Sequence, residues 1–257
     1  IERVAGGKGT SIFQPCWSPD GVLHFVSDQS GWWNLYCWNS RTGERLPLCP
    51  MAAEFGRPQW AFGMTTYGFA ADGRIVTNYA VNGEWRLAQL RADVGKLQDI
   101  ETDFCSFDSL KISGNRVAFV GGHPAEASSL VVVDLDDMTW QILRRSMDIS
   151  IDLDNTSIGQ ALEVSAEDGS TVHAFIYAPK NRDYAASEGE LTPLIVKSHG
   201  GPTGQTTRAF GLGVQFWTSR GFAVLDVNYG GSTGYGRTYR QRLDGQWGIV
   251  DVVDCIA

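Results

Sequence analysis

Residues 193–202 have the sequence Pro-Leu-Ile-Val-Lys-Ser-His-Gly-Gly-Pro, in which an apolar run ends at two glycines and a proline. A second apolar run, Phe-Ala-Val-Leu-Asp-Val-Asn, follows at residues 222–228. Near-continuous apolar runs of this length are typical of parallel strands that are covered on both faces. Residues 209–220 carry apolar side chains suited to a helix, and Gly221 is a suitable helix C-cap. The order strand, helix, strand predicts a right-handed parallel crossover.

Segments on either side of this crossover extend the predicted α/β domain. Two short strands, residues 161–165 and 171–177, flank Glu167-Asp-Gly169, and an Asp-Gly pair favours a tight hairpin turn. At the other end, residues 247–257 predict the start of a further helix.

Residues 1–150 have a different pattern, in which short apolar strands alternate with turn dipeptides and helical periodicity is nearly absent. We count three units of four strands that begin near Trp17, Trp60 and Leu110, and the two tryptophans are 43 residues apart. A four-stranded repeat of about 40 to 45 residues is typical of a β-propeller blade. The alternative is a β-sandwich with similar strand spacing.

The tryptophans are predicted to fill the core between blades, and Phe25 and Phe119 occupy comparable positions in their units. Closed propellers have about four to eight blades, so three blades and the absence of an initiator Met predict a piece of a longer propeller. We therefore expect the C-terminal blades of a β-propeller over residues 1–150 and an α/β domain over residues 151–257. The boundary lies in the acidic, polar stretch of residues 148–154.

Composition excludes several classes of function. The chain has 257 residues, 43% of them hydrophobic, and a formal net charge of −8, which disfavours nucleic acid or an anionic membrane as a partner. No apolar run reaches the roughly 20 residues of a membrane span, and the first residues do not resemble a signal peptide. The five cysteines form no C-x-x-C pair, so we expect no disulfide framework, no metal site and no cofactor, in a reducing, cytoplasmic compartment.

The segment His199-Gly-Gly-Pro202 follows the first parallel strand, at the end where open α/β sheets bind their ligands. Paired glycines allow backbone N–H groups to face inward without a Cβ in the way, as an oxyanion hole requires. Lipases and esterases use a segment of this type to supply one oxyanion N–H. The alternative is a tight turn with no catalytic role. We expect His199 to be a positioned polar group and not a general base, because no acidic partner is identifiable.

Residues 228–236, Asn-Tyr-Gly-Gly-Ser-Thr-Gly-Tyr-Gly, follow the second parallel strand and contain a formal Gly-x-Ser-x-Gly sequence centred on Ser232. In an α/β-hydrolase the nucleophile is followed along the chain by an acid and then a histidine, and no histidine follows His199. A nucleophile elbow also continues directly into a helix, whereas Tyr235 and Gly236 are expected to prolong the loop. We therefore do not expect Ser232 to be a nucleophile.

The charged residues after this loop do not by themselves indicate a binding site. Arg237, Arg240 and Arg242 could bind a carboxylate, but a solvated surface is the commoner role of such a cluster. Asp251 and Asp254 share one face of the last predicted helix, where acids near the N-terminus favour the helix dipole. Without further ligands they do not form a metal site.

Three segments together resemble the prolyl oligopeptidase family of serine peptidases, which includes prolyl oligopeptidase, dipeptidyl peptidases and acylaminoacyl peptidases. They are residues 194–202, residues 227–236, and Gly245-Gln-Trp-Gly248 with Asp251 and Asp254. The resemblance implies a β-propeller followed by an α/β-hydrolase domain, so residues 151–257 would be the N-terminal part of that domain. It is specific for residues 190–257 and weak for the propeller.

The resemblance also implies roles for individual residues. The backbone N–H of Gly201 is expected to donate to the oxyanion, with His199 and Gly200 in the same oxyanion segment, and Tyr235 is expected to bind substrate. The Tyr-Gly-Gly-Ser sequence departs from the family's more usual Arg-Gly-Ser, which leaves the substrate subclass open. The family's Ser, Asp and His triad would fall beyond Ala257, so the chain is expected to be an internal fragment that is inactive alone.

For the full-length parent the resemblance implies hydrolysis of short peptides or aminoacyl amides through an acyl-enzyme, and the protein could form a homo-oligomer. An esterase or amidase on the same fold is one alternative, because acyl-group choice depends on pocket residues elsewhere. A non-catalytic propeller scaffold that binds proteins or peptides is the other.

Overall fold

The computed structural model describes residues 1–149 and 151–257, and the strands of this part of the chain form four sheets of four strands each. The first three sheets are antiparallel meanders in which the strands follow sequence order. The strands of these sheets are β1 (Ile12–Trp17), β2 (Leu23–Ser27), β3 (Asn34–Trp38), β4 (Arg45–Pro47), β5 (Tyr67–Phe69), β6 (Ile75–Val81), β7 (Glu84–Arg91), β8 (Lys96–Asp99), β9 (Ser106–Ser113), β10 (Arg116–Gly122), β11 (Ser129–Asp134) and β12 (Trp140–Arg145). The predicted units of four strands are confirmed.

Neighbouring sheets share their hydrophobic cores. Phe13 and Val26 of the first sheet pack in one cluster with Ile75 of the second. Leu87 of the second sheet packs in another cluster with Phe119 of the third. Each sheet therefore buries its faces against the next one, which is the packing of propeller blades.

The prediction that tryptophans fill the core between blades is wrong for two of them. Trp33 and Trp85 are buried, but Trp17 is 61% exposed and Trp60 is 60% exposed. Trp17 ends β1 at the edge of its sheet, and Trp60 lies in the connection between β4 and β5. The second sheet begins at Tyr67 and not at Trp60, so the spacing of these tryptophans does not measure the repeat.

The fourth sheet is mixed and contains β13 (Gln160–Ser165), β14 (Thr171–Tyr177), β15 (Leu194–Ser198) and β16 (Ala223–Asn228) in the order β13-β14-β16-β15. The first two strands form the predicted hairpin. Strands β15 and β16 pair in parallel, and helix α1 (Leu212–Thr218) connects them along the chain.

Gly221 ends helix α1 in the predicted manner. It has φ +88°, its N–H donates to the Thr218 carbonyl at 3.3 Å, and the Phe222 N–H donates to the Trp217 carbonyl at 3.2 Å. This pair of hydrogen bonds is a Schellman motif, which requires a residue in the left-handed region.

The expectation that both parallel strands are covered on both faces holds for β16 only. In β15, Leu194 is 52% exposed and Val196 is 42% exposed, and β15 is the last strand in the sheet order. Phe216 and Trp217 on α1 are exposed as well, and the buried side of that helix carries Gln215 and Thr218.

Two further helices follow, α2 (Gly236–Gln241) and α3 (Val250–Ile256). Helix α2 begins at Gly236, so the loop after Ser232 is shorter than expected, and α3 begins after Trp247. The boundary expected after residue 150 falls on Ser150, which lies outside the described residues, and the division into residues 1–150 and 151–257 stays a prediction. In the part of the chain described, no helix has the length and apolarity to cross a membrane.

Candidate oxyanion site

The chain leaves β15 through His199, Gly200 and Gly201, and Gly201 has φ +74°. The hydroxyl of the buried Tyr229 donates to the Gly201 carbonyl at 2.9 Å and lies 3.3 Å from the His199 carbonyl. Within residues 1–149 and 151–257, no acceptor takes the Gly201 N–H. Two carbonyls of the segment are therefore anchored, and the N–H between them makes no hydrogen bond within the described residues.

His199 is held by its ring. The Nε2 atom lies 2.7 Å from the Ser232 hydroxyl, and the ring stacks on Tyr229 at a centroid distance of 4.5 Å and an interplanar angle of 20°. Burial lowers the pKa of His199, which favours the neutral imidazole. No salt bridge joins this ring to a carboxylate in the described part of the chain. These contacts hold the ring in place, and the role of His199 as a positioned polar group of the oxyanion segment stays a prediction.

Ser232 pairs with His199 but is closed to substrate. Its side chain is fully buried, and its hydroxyl lies 2.7 Å from the Tyr229 carbonyl, which can only accept. A hydroxyl has one hydrogen, so when Ser232 donates to Tyr229, it accepts from the His199 ring. The Ser232 hydroxyl therefore joins the two glycine-rich segments, residues 199–202 and residues 228–236, by hydrogen bonds. Because it is buried, it has no path to a substrate carbonyl.

Sequence reasoning missed this pairing, although a signal was present. The two segments follow β15 and β16, which are parallel neighbours. The carboxyl ends of such strands meet at one edge of the sheet, so side chains just beyond them lie close together.

The carboxylate of Asp254 anchors the second glycine-rich segment. It accepts from the Gly230 N–H at 2.6 Å and pairs with Arg242 at 2.9 Å, and its side chain is buried. The expectation that Asp254 only favours the helix dipole is wrong, because the packing of α3 against this segment excludes water from its carboxylate. Asp251 accepts from the Gly248 N–H at 2.7 Å, before the first turn of α3.

Arg237 and Arg240 on α2 bind a carboxylate, and it belongs to the first blade. Asp28 lies 2.6 Å from Arg237 Nη2 and 2.7 Å from Arg240 Nη2, and its side chain is 3% exposed. The expectation of a solvated surface is wrong for these two arginines because α2 packs against the first blade.

Glu54 caps the same helix. It is buried, and it accepts from the Gly236 N–H at 3.1 Å and from the Trp33 N–H at 2.9 Å. Burial raises the pKa of Glu54, and the two N–H donors and Arg240 oppose that shift. Asp28 and Glu54 together fix α2, and through it the second glycine-rich segment, on the propeller blades.

Tyr235 packs between the two parts of the chain. Its ring stacks on His173 at a centroid distance of 4.0 Å, and its hydroxyl accepts from Asn228 Nδ2 at 2.9 Å. A Cβ at Gly83 would overlap the Tyr235 hydroxyl, so that ring also contacts the backbone of the turn between β6 and β7 in the second blade. Substrate binding by Tyr235 stays a prediction. Among the described residues, no group of three or more His, Cys, Asp or Glu side chains is placed to hold a metal ion.

Comparison with known proteins identifies relatives. The model of the prolyl oligopeptidase family matches residues 208–257. Puromycin hydrolase superposes with a TM-score of 0.93 at 37% identity over 100% of this chain, and a puromycin-hydrolyzing peptidase of Mycobacterium tuberculosis with a TM-score of 0.94 at 38% identity over 98% of it.

This chain covers 39% of the length of each of those two structures. Dipeptidyl aminopeptidase BIII of Pseudoxanthomonas mexicana is 33% identical over 89 residues, which are 34% of this chain and 13% of that enzyme. Residues 208–257 thus match the prolyl oligopeptidase family, and the blades and both glycine-rich segments are similar in structure to the two puromycin-hydrolysing enzymes.

Proposed function

We propose that the protein carrying this chain is a serine peptidase that hydrolyses short peptides or aminoacyl amides, and that Gly201 supplies one oxyanion donor. The observation that supports this most directly is the free N–H of Gly201 between two carbonyls anchored by Tyr229. A donor held in place before the reaction stabilises developing charge without reorganisation.

The reaction follows the chemistry of acyl transfer. A serine hydroxyl attacks the scissile carbonyl carbon and passes its proton to a histidine, and the carbonyl oxygen becomes an oxyanion that accepts from the Gly201 N–H. The tetrahedral intermediate collapses, the amine leaves with the proton, and water then hydrolyses the acyl-enzyme. The backbone N–H after the catalytic serine is the second oxyanion donor.

We place the catalytic triad outside residues 1–257, and we expect this chain alone to be inactive. Ser232 does not fit the role of nucleophile because it is buried and its partner His199 has no carboxylate. The names of the relatives, which refer to puromycin hydrolysis and dipeptidyl aminopeptidase activity, support small amides as the substrate class. The five cysteines are all unpaired in the described structure, which supports a reducing, cytoplasmic location.

A fluorophosphonate probe tests this proposal on the full-length protein. We expect covalent labelling at one serine other than Ser232, and Gly201→Ala, which strains the left-handed backbone that orients the N–H, should slow labelling more than Gly200→Ala. Labelling at Ser232 would overturn the assignment. No labelling of the folded protein would favour a non-catalytic scaffold, and hydrolysis of simple esters without hydrolysis of peptide amides would favour an esterase.

A further inference from the structure

The chain that follows the oxyanion glycines folds back onto them. A Cβ placed on Gly204 would lie 3.0 Å from the Gly200 carbonyl oxygen and 3.0 Å from Nδ1 of His199. The Gly204 carbonyl accepts from the Thr233 N–H at 2.9 Å. We call residues 203–206 the return segment. Because it packs against the oxyanion segment where a side chain has little room, a displacement of one segment displaces the other.

Thr206 ends the return segment and is held by two side chains of β16. Its N–H donates to Asn228 Oδ1 at 2.8 Å, and its carbonyl accepts from Asn228 Nδ2 at 3.3 Å. Its hydroxyl donates to Asp226 Oδ2 at 2.6 Å. Asn228 and Asp226 are both buried, so the loss of these hydrogen bonds would leave buried polar groups without a partner.

The position of Thr206 determines the orientation of the Asn228 amide. A backbone N–H can only donate, so the amide atom that faces it is Oδ1, and the other amide atom, Nδ2, is a donor. Nδ2 donates to the Tyr235 hydroxyl at 2.9 Å. The Asn228 side chain therefore joins the return segment to Tyr235.

Tyr235 in turn lies against the second blade. Its hydroxyl occupies the space that a Cβ on Gly83 would need, and the Gly83 N–H donates to the Gly234 carbonyl at 3.1 Å. The other support of the ring is His173 of the α/β sheet, on which it stacks. A continuous line of contacts therefore runs from the turn between β6 and β7 through Tyr235 and Asn228 to the return segment.

We propose that Asn228 and Tyr235 are positioning residues for the oxyanion segment. They act through Thr206 and the return segment, and the inference rests on the proposed role of Gly201. An oxyanion donor is needed in the transition state, so its displacement lowers kcat more than it raises KM. Substrate binding by Tyr235 would have the opposite signature, because loss of a substrate contact raises KM and leaves kcat unchanged.

Hydrolysis of alanine p-nitroanilide by the full-length protein tests the proposal. Tyr235→Phe removes the hydroxyl and keeps the ring that stacks on His173. We expect it to lower kcat about tenfold with KM changed less than about twofold. Thr206→Val, which has the same shape but no hydroxyl, should have a similar effect, and Thr206→Ser should retain most of kcat. Each kcat is expressed per folded enzyme, with the folded fraction taken from urea denaturation.

Tyr79→Phe is the matched control, because the Tyr79 hydroxyl donates to Asp99 at 2.7 Å within the second blade. It should leave kcat unchanged. The double variant of Tyr235→Phe and Thr206→Val should lose clearly less kcat than the product of the two single losses, since both act through one segment. Independent losses that multiply, or a rise of KM at constant kcat in Tyr235→Phe, would overturn the proposal.

Hydrogen exchange distinguishes failure of this inference from failure of the proposed function. A wild-type protein that does not hydrolyse the anilide would remove the proposed function but not the contacts. The Thr206 amide should then still exchange about fivefold faster in Tyr235→Phe than in the wild-type protein, and at the wild-type rate in Tyr79→Phe. Mass spectrometry of peptides that cover residues 199–206 measures these rates. Unchanged exchange in Tyr235→Phe would overturn the inference.

Discussion

The Tyr229 hydroxyl donates to the Gly201 carbonyl at 2.9 Å while the Tyr229 ring stacks on His199. The same hydroxyl lies 3.3 Å from the His199 carbonyl. The N–H of Gly201 belongs to the peptide between these two carbonyls, so a single side chain fixes the planes on both sides of the candidate oxyanion donor. Tyr229 is therefore a positioning residue for Gly201.

Replacement of Tyr229 by Phe removes the hydroxyl and keeps the stacked ring. In the full-length protein we expect this variant to lower kcat about tenfold with little change in KM. The reason is that a misplaced oxyanion donor weakens transition-state binding more than substrate binding. Tyr239→Phe is a matched control, since the Tyr239 hydroxyl donates to a different backbone carbonyl, that of Asn228, at 2.6 Å. Equal losses of kcat in both variants would show that Tyr229 has no specific role.

Substitution of the two neighbouring glycines tests whether Gly201 is the residue of the pair that a side chain would strain. Gly201 has φ +74° and lies against Trp60, whereas a Cβ at Gly200 would meet nothing within 4 Å. We expect Gly201→Ala to cost about 1 to 2 kcal/mol of unfolding free energy, because the left-handed region disfavours a Cβ. Gly200→Ala should cost less than about 0.5 kcal/mol. Urea denaturation measures both, and equal costs would contradict the observed backbone geometry.

Asp28 joins the first blade to helix α2 through Arg237 and Arg240. The variant Asp28→Asn would leave Arg237 without its carboxylate and Arg240 with only Glu54, 3.7 Å away. Removal of one partner from a buried ion pair costs about 3 to 5 kcal/mol. We expect a loss of that size in denaturation and faster limited proteolysis between the blades and the fourth sheet.

The exposed pair of Arg145 and Glu126 provides the control for this measurement. These side chains lie 2.7 Å apart, with exposures of 43% and 49%. Because exposed pairs contribute little, Glu126→Gln should cost less than about 1 kcal/mol. If Asp28→Asn is no more harmful than Glu126→Gln, Asp28 does not fasten α2 to the propeller.

Features determined by neighbours in sequence could be predicted. The hairpin at Asp168 and Gly169, the Gly221 helix end and the alternation of strands and turns depend on local backbone preferences, and the structure has them where the sequence indicates. The glycine-rich end of β15 could likewise be placed at the edge of the sheet, because strand and turn are continuous in the chain.

Features that depend on distant partners could not be predicted. Asp28 and Arg237 are 209 residues apart, and nothing near either residue indicates that the other will neutralise it. The exposure of Trp60 likewise depends on how the propeller and the α/β sheet pack together. Composition and spacing describe a residue's chemistry but not the surface that it will face.

Acidification should destabilise the protein in a window determined by three histidines. Burial lowers the pKa values of His24, His173 and His199 below the value of about 6.5 expected in the unfolded chain. Below that pH the unfolded state therefore binds more protons than the folded state. The stability that the neutral histidines contribute above that pH is lost as the pH falls. Each histidine removes up to about 1.4 kcal/mol per pH unit until its folded pKa is reached.

The variant His24→Asn tests this sign away from the oxyanion segment. His24 lies on β2, with its Nδ1 atom 3.0 Å from the Val22 carbonyl, and an asparagine amide offers a donor at the same place. Urea denaturation at pH 7.5 and 5.5 should show a loss of unfolding free energy for the wild-type protein and a smaller loss for the variant. Wild-type stability that rises as the pH falls across this interval would contradict the lowered pKa values, because a histidine that gains its proton in the folded state stabilises that state at low pH.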